Sequence, residues 1–386
     1  MKYYNLTNII NFSGISIIVI LFAFLGYPEK AAELAIIIGS SILITQLFSS
    51  NSRNILILNY NYNQFLYRIK FRIFISPILF ILIILFNYYY FKQIKFEILT
   101  IPLIIILQWI NELNLLYLFE KKNGKKIILY FFICILFYFL TLCCLISNFY
   151  NLFFYLNIFF VIFNLFFLLK TIKMTFSGKL KKLSLAINGY FMTDISNYSF
   201  YSSSSMVLSN FMSRLLILEF LPKNFSGILF ACISLGSMPG TIFNNSFGPY
   251  LIKESKKDTF KNIIWFFALL FLIFCIFITQ TDIQNLSIFK KEKIGFFTYL
   301  CLTLSILGSF FMIAGQYIRQ KLLFLYKSQM NKIFKIDVLN NFFYFVIVII
   351  VIFVNNNTLF SSIFLIFSIF IFFVFLINFL FKKYEK

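Results

Sequence analysis

The chain has 386 residues, of which 61% are hydrophobic and 12% charged, with 34 Lys and Arg against 13 Asp and Glu and a mean hydropathy of +0.90. Apolar runs recur from end to end, which excludes a soluble protein with a single anchor and predicts a polytopic membrane protein. Histidine is absent, removing the usual zinc ligand and the usual proton shuttle near neutral pH. The six cysteines (Cys134, Cys143, Cys144, Cys232, Cys275 and Cys301) sit inside apolar runs without metal-ligand spacing and read as small core residues.

Twelve apolar stretches long enough to cross a bilayer follow one another, at roughly 9–25, 31–49, 71–91, 97–119, 127–147, 152–169, 198–218, 227–247, 262–280, 294–315, 336–354 and 358–381. The first follows Lys2 without a small-residue cleavage site, so it is expected to be a retained span. The second carries a helical stripe of Ser41, Thr45, Ser49 and Ser52 and runs out into SSNSRNIL with Arg53. Pro77 and Pro102 predict kinks in spans three and four. Tyr88, Tyr89 and Tyr90 suit an aromatic belt at the outer interface. Span four holds Gln108, Asn111 and Glu112 beside Trp109. The lysine-rich stretch Lys170 to Asn188 reads as the linker between two lobes, 1–175 and 176–386. Gly189 to Asn197, with Asp194, leads into span seven, which reads YSFYSSSSMVLSNFMSRLLIL. That serine run, Asn210 and the charge of Arg214 require one face to look into protein or water. Span eight ends in GSMPGTIFNNSFGP, where Pro239 and Gly240 weaken the backbone ladder.

Lysine and arginine placement predicts orientation. With both termini cytoplasmic, twenty-six of these residues fall inside and seven outside, with Arg214 within a span. The cluster Lys290, Lys291 and Lys293 runs against the trend. The asymmetry also accounts for the net charge of +21 without nucleic acid as a partner.

Two stretches echo each other: FLGYPEKAAELAIIIGSSILITQLFSSNSRNILI (Phe24 to Ile57) and FLPKNFSGILFACISLGSMPGTIFNNSFGPYLI (Phe220 to Ile252). Phe24-Leu25 aligns with Phe220-Leu221, and Gly39-Ser40 with Gly236-Ser237. Six spans per half is an even number, so both halves enter from one side and the repeat is parallel, with the working cavity expected between the lobes.

Several residues are candidates for function, each with a plainer alternative. Arg214 shares one side of a helix with Asn210 and Ser203; its planar fork of donors suits phosphate oxygens, or it snorkels to the outer interface. Arg53 is a cavity-mouth cation or one more positive-inside charge. Glu112, with Gln108, serves ion coupling or sugar hydroxyls, or else pairs with a lysine. Gln316 is a candidate counterpart of Glu112. Asp194 is a gate contact or a helix N-terminal charge favoured by the dipole. Tyr201 suits stacking on a sugar, and Thr241, Asn244 and Asn245 extend the polar face of span eight. Pro239 with Gly240 is the expected hinge. Paired carboxylates, Gly-rich phosphate loops and Ser/His/Asp sets are missing from the sequence, which predicts a protein that is not an enzyme and needs no cofactor or metal.

The serine-rich span seven, followed by FLPKNFSGILFACISLGSMPGTIFNNSFGPYLIK, with LFSSNSRNIL in the first half, resembles the Wzx-type polysaccharide flippases of the multidrug/oligosaccharidyl-lipid/polysaccharide exporter superfamily. The resemblance implies an all-α, MATE-like, V-shaped transporter of two six-helix lobes in the bacterial inner membrane. It would move an undecaprenyl-pyrophosphate-linked oligosaccharide, an O-antigen or capsule repeat unit, between leaflets by alternating access. Cationic residues on the first, second, seventh and eighth spans line the cavity of lipid-linked-precursor flippases; here Arg53 and Arg214 match, while the first span carries no charge. Besides that substrate and membrane lipids, a coupling H+ or Na+ and polysaccharide-assembly proteins are the partners this reading admits. Two alternatives stay open: a MATE-like antiporter of small molecules, and an O-antigen polymerase or membrane glycosyltransferase.

Overall fold

A computed structural model of the chain describes residues 2–49, 56, 61–93, 95–147, 150–176, 198–243, 296–325, 330–354 and 356–384. Among these residues every regular element is a helix. In chain order they are α1 (Lys2–Phe24), α2 (Pro28–Leu47), α3 (Tyr62–Phe91), α4 (Phe96–Glu120), α5 (Gly124–Ile146), α6 (Tyr150–Phe176), α7 (Tyr198–Phe220), α8 (Lys223–Ile242), α9 (Phe296–Leu325), α10 (Met330–Val354) and α11 (Asn357–Tyr384). Nine of the described helices contain segments long and apolar enough to cross a membrane. The expected span at 262–280, Gly189 to Asn197 and the linker beyond Phe176 lie outside the described residues.

Local chemistry explains several boundaries. Asn61 caps α3, its side-chain oxygen accepting from the backbone N–H groups of Asn63 at 2.9 Å and Gln64 at 3.4 Å. α1 is closed by Gly26 at φ 91°, a left-handed position that L side chains avoid, with Tyr27 N–H bonding back to the Phe22 carbonyl at 2.9 Å. α3 continues through Pro77. The proline removes the donor that would reach the Ile73 carbonyl, and the Ser76 hydroxyl supplies one instead at 2.9 Å.

Among the helices that outrun the apolar pattern, α3 and α9 do so for the same reason. α3 begins at Tyr62 rather than near 71, and α9 runs on to Leu325 rather than stopping near 315. Each extension carries arginine and lysine into the helix, where hydropathy reads them as loop. Arg68 and Lys70 in α3, and Arg319 and Lys321 in α9, counted from sequence among the cytoplasmic loop charges, are therefore helical residues, as is Arg72 at the start of the expected span.

The chain divides into two compact units: Met1–Asn11 with Ile36–Phe211, and Phe12–Ala35 with Met212–Lys386. In the first, α4 is the central helix, packed against α3, α5 and α6, and its residues are buried almost without interruption from Ile104 to Leu116. In the second, α8, α9 and α11 form a tightly packed trio. Small residues permit this closeness. A Cβ at Gly236 would lie 2.6 Å from the Ser305 carbonyl oxygen, one at Gly240 would lie 2.5 Å from Met312, and one at Gly308 would lie 2.7 Å from the Phe364 ring. The Ser309 hydroxyl then donates to the Gly236 carbonyl at 2.7 Å, joining α9 to α8.

The second unit also includes α1 from Phe12 onward and α2 from Pro28 to Ala35. Their residues Phe22, Ala31, Ala32, Leu34 and Ala35 are fully buried.

Candidate functional site

The polar load of α7 is lighter than its composition suggests. Ser203 donates to the Phe200 carbonyl at 3.0 Å, Ser205 to Ser202 at 3.0 Å, Ser209 to Met206 at 3.1 Å, and the Asn210 amide to Met206 at 2.9 Å. Each of these four bonds to its own helix, three or four residues back, so these residues do not by themselves demand a watery face, whereas the buried hydroxyls of Ser204 and Ser213 find no hydrogen-bond acceptor among the described residues. Tyr201 and Asn210 are exposed, and Ser203 is half-buried.

Arg214 differs, because a guanidinium cannot be satisfied by one helix carbonyl. It is half-buried, donates from Nη1 to the Ala35 carbonyl of α2 at 3.1 Å, and lies 5.9 Å from the centre of the Phe230 ring. Among the described residues no carboxylate pairs with it, and one of its five N–H donors is used.

Two other arginines show the usual solution for a charge inside such helices. Arg72, 1% exposed, donates to Glu112 Oε2 at 2.9 Å, to Ser49 Oγ at 3.1 Å and to the Trp109 carbonyl, and its guanidinium lies 4.6 Å from the Trp109 ring centre. This node ties α3 and α4 to the residues that follow α2. Arg319 of α9 grips Asp337 of α10 with both ends of its fork, at 2.8 and 2.7 Å. Glu112 thus has an arginine partner, where the sequence reading had a charge that reaches water or pairs with a lysine as its plainer alternative. Neither Arg72 nor Asp337 stands out in the sequence; a lone Asp near the start of an apolar run with an Arg eighteen residues before it is a weak signal.

Gln108 and Glu112 belong to a buried polar ladder. The Gln108 amide approaches the Tyr138 hydroxyl at 3.4 Å. The Asn111 amide donates to Asn164 Oδ1 at 2.8 Å, and Tyr130 donates to the same oxygen at 3.0 Å. One turn on, Thr171 donates to Asn114 at 2.6 Å. Asn157, Asn164 and Thr171 stand seven residues apart on α6, so they share the face turned to α4.

On α8, Thr241 is exposed and bonds back to the Ser237 carbonyl at 3.0 Å. The helix runs through Pro239 to Ile242, and Gly240 is packed against Met312. Gln316 approaches the Met312 sulfur at 3.9 Å and makes no contact with a carboxylate among the described residues. Arg53, Asp194, Asn244 and Asn245 lie outside the described residues. No cluster of His, Cys, Asp and Glu able to hold a metal is present among the described residues.

An all-helical chain with this many membrane-length segments, charges paired within them, and small residues at its helix contacts is a polytopic membrane protein. Its fold is MATE-like. Over 98% of its length, and 95% of the other chain, it is similar to a solved structure described as the inward-facing conformation of a multidrug resistance MATE family transporter of the MOP superfamily, with a TM-score of 0.54 and 11% sequence identity. No protein-family model and no curated protein matches the sequence.

Proposed function

We propose that the protein is a flippase that carries an undecaprenyl-pyrophosphate-linked oligosaccharide across the bacterial inner membrane by alternating access, with both termini cytoplasmic and without enzymatic activity. The MATE-like fold supports a transporter. The observation that carries the choice of an anionic substrate is Arg214. Of the three arginines Arg72, Arg214 and Arg319, two have a carboxylate within hydrogen-bond distance, while Arg214 keeps its charge and most of its donors without one among the described residues. Holding an uncompensated cation in a low-dielectric setting costs several kcal/mol. A diphosphate would supply the missing charge and the acceptors that a planar fork fits.

Tyr201 and Asn210, exposed on the same helix, are the proposed contacts for sugars, and Arg53, Thr241, Asn244 and Asn245 extend the proposed site. Physics favours such a carrier: an oligosaccharide and a pyrophosphate moved bare through hydrocarbon would leave each unpaired polar group at a cost of several kcal/mol. The test is Arg214→Ala in a strain lacking its own flippase. The expected result is loss of surface polysaccharide with normal accumulation of the protein; normal polymer at normal expression would remove Arg214 from the site.

A further inference from the structure

Three contacts in the second unit share one location. The Gly227 backbone of α8 lies so close to the start of α2 that an added Cβ would sit 1.8 Å from the Pro28 carbonyl oxygen. Lys223 Nζ lies 4.0 Å from Glu33 Oε1. Arg214 of α7 donates to the Ala35 carbonyl. Together they lay the α1–α2 hairpin along the α7–α8 hairpin, at the end of the helices that the lysine asymmetry assigns to the outer side.

The three contacts differ in strength. The Lys223 side chain is 59% exposed, so its ion pair is screened and contributes little. Gly227 supplies only shape: with no Cβ, two backbones touch. In the internal echo it aligns with Ala31, at an offset of 196, so a small residue stands at this position in both copies of the echo. Arg214 makes a charge-assisted hydrogen bond to a backbone carbonyl in the interior of α2, and such a carbonyl can accept a second bond besides its helical one. That bond is a specific polar tie across the seam that a ligand could compete for.

We infer that Arg214 is a latch: its bond to the Ala35 carbonyl holds the α1–α2 hairpin onto α7 and α8, and an anion taken by its guanidinium releases that bond and lets the seam open. The inference rests on the reading of Arg214 as an anion contact and adds what binding does. Competition arises where the diphosphate takes the Nη1–Nη2 end of the fork, because Nη1 is the nitrogen bonded to Ala35; in that mode occupancy by a diphosphate and closure of the seam oppose each other. By linkage, a variant that opens the seam binds the anion more tightly if Arg214 is intact.

The test reads seam opening without transport. Ala31 is fully buried one turn along α2 from Pro28, so in an Ala31→Cys protein purified in detergent the rate of reaction with a polar maleimide, above the background of the parent protein, reports exposure of the seam. Arg214→Ala in that protein is expected to raise the rate about ten-fold, since one hydrogen bond to a charged group is lost. Gly227→Ala, which forces the backbones apart with Arg214 intact, is expected to raise it as well. Gly124→Ala, where an added Cβ meets nothing within 4 Å, is expected to leave it unchanged. Farnesyl pyrophosphate is the probe for release: it should raise the rate in the Ala31→Cys protein and have no effect once Arg214→Ala is added.

A rate unchanged by Arg214→Ala, in protein that elutes as the parent does, overturns the latch and leaves the flippase reading standing. A rate that rises with Arg214→Ala but does not respond to farnesyl pyrophosphate overturns anion release, and it counts against the pyrophosphate reading too.

Discussion

Breaking the Arg72–Glu112 pair should destabilise the first unit severely, and the size of the effect follows from the surroundings. Arg72 is 1% exposed and Glu112 7% exposed, so neither can turn to water when its partner is removed. Glu112→Leu takes from the guanidinium the carboxylate oxygen at 2.9 Å, while the Ser49 hydroxyl, the Trp109 carbonyl and the Trp109 ring face stay in place. Removing one member of a buried pair costs about 3–5 kcal/mol, whereas replacing both by apolar residues of similar volume is often neutral or stabilising. Arg72→Met with Glu112→Leu should therefore recover most of what either change alone loses. Ser49→Ala, which deletes one acceptor, should cost about 1 kcal/mol. Unfolding of the four purified proteins in detergent, by heat or denaturant, gives the cycle. If Glu112→Leu came within about 0.5 kcal/mol of the parent, the node would not be a closed ion pair and the reasoning would be wrong. The same protein separates structure from transport, because a Glu112 that contacts substrate would lose polymer export in Glu112→Gln while stability stayed near the parent value.

The pair in the second unit should behave alike: Asp337→Asn is expected to destabilise the α9–α10 contact by about 2–4 kcal/mol, less than the first because both side chains keep about a tenth of their exposure, and denaturant unfolding measures it. Asn164→Leu removes the acceptor shared by Asn111 and Tyr130 and should cost about 2–3 kcal/mol in the same assay. Gly308→Ala pushes a Cβ into the Phe364 ring and should lower stability by about 1–3 kcal/mol, with Gly124→Ala as the neutral comparison.

Hydropathy alone was enough to read a polytopic helical membrane protein, because desolvating a backbone polar group in hydrocarbon costs so much that only helices of spanning length are available to such apolar runs. The rule acts on composition over twenty residues, so one sequence suffices. The stretch Phe220 to Ile252 was also singled out by sequence, and its Gly227 stands at a tight contact with Pro28, at the start of α2.

Side-chain pairing was decided only in three dimensions. Hydropathy put Arg319 beyond its span and Arg72 at the edge of another because it scores a charge without its partner, and the partners lie forty and eighteen residues away on neighbouring helices. The serine run of α7 looked like a wet face because composition counts hydroxyls and cannot see that Ser203, Ser205 and Ser209 bond to their own helix. The reverse held for Arg214, singled out from the sequence for its charge within a span. What the chain alone could not tell is that, among the described residues, its neighbours offer a carbonyl and a ring but no carboxylate. A charge is local to one residue, whereas its compensation belongs to whatever the fold brings beside it.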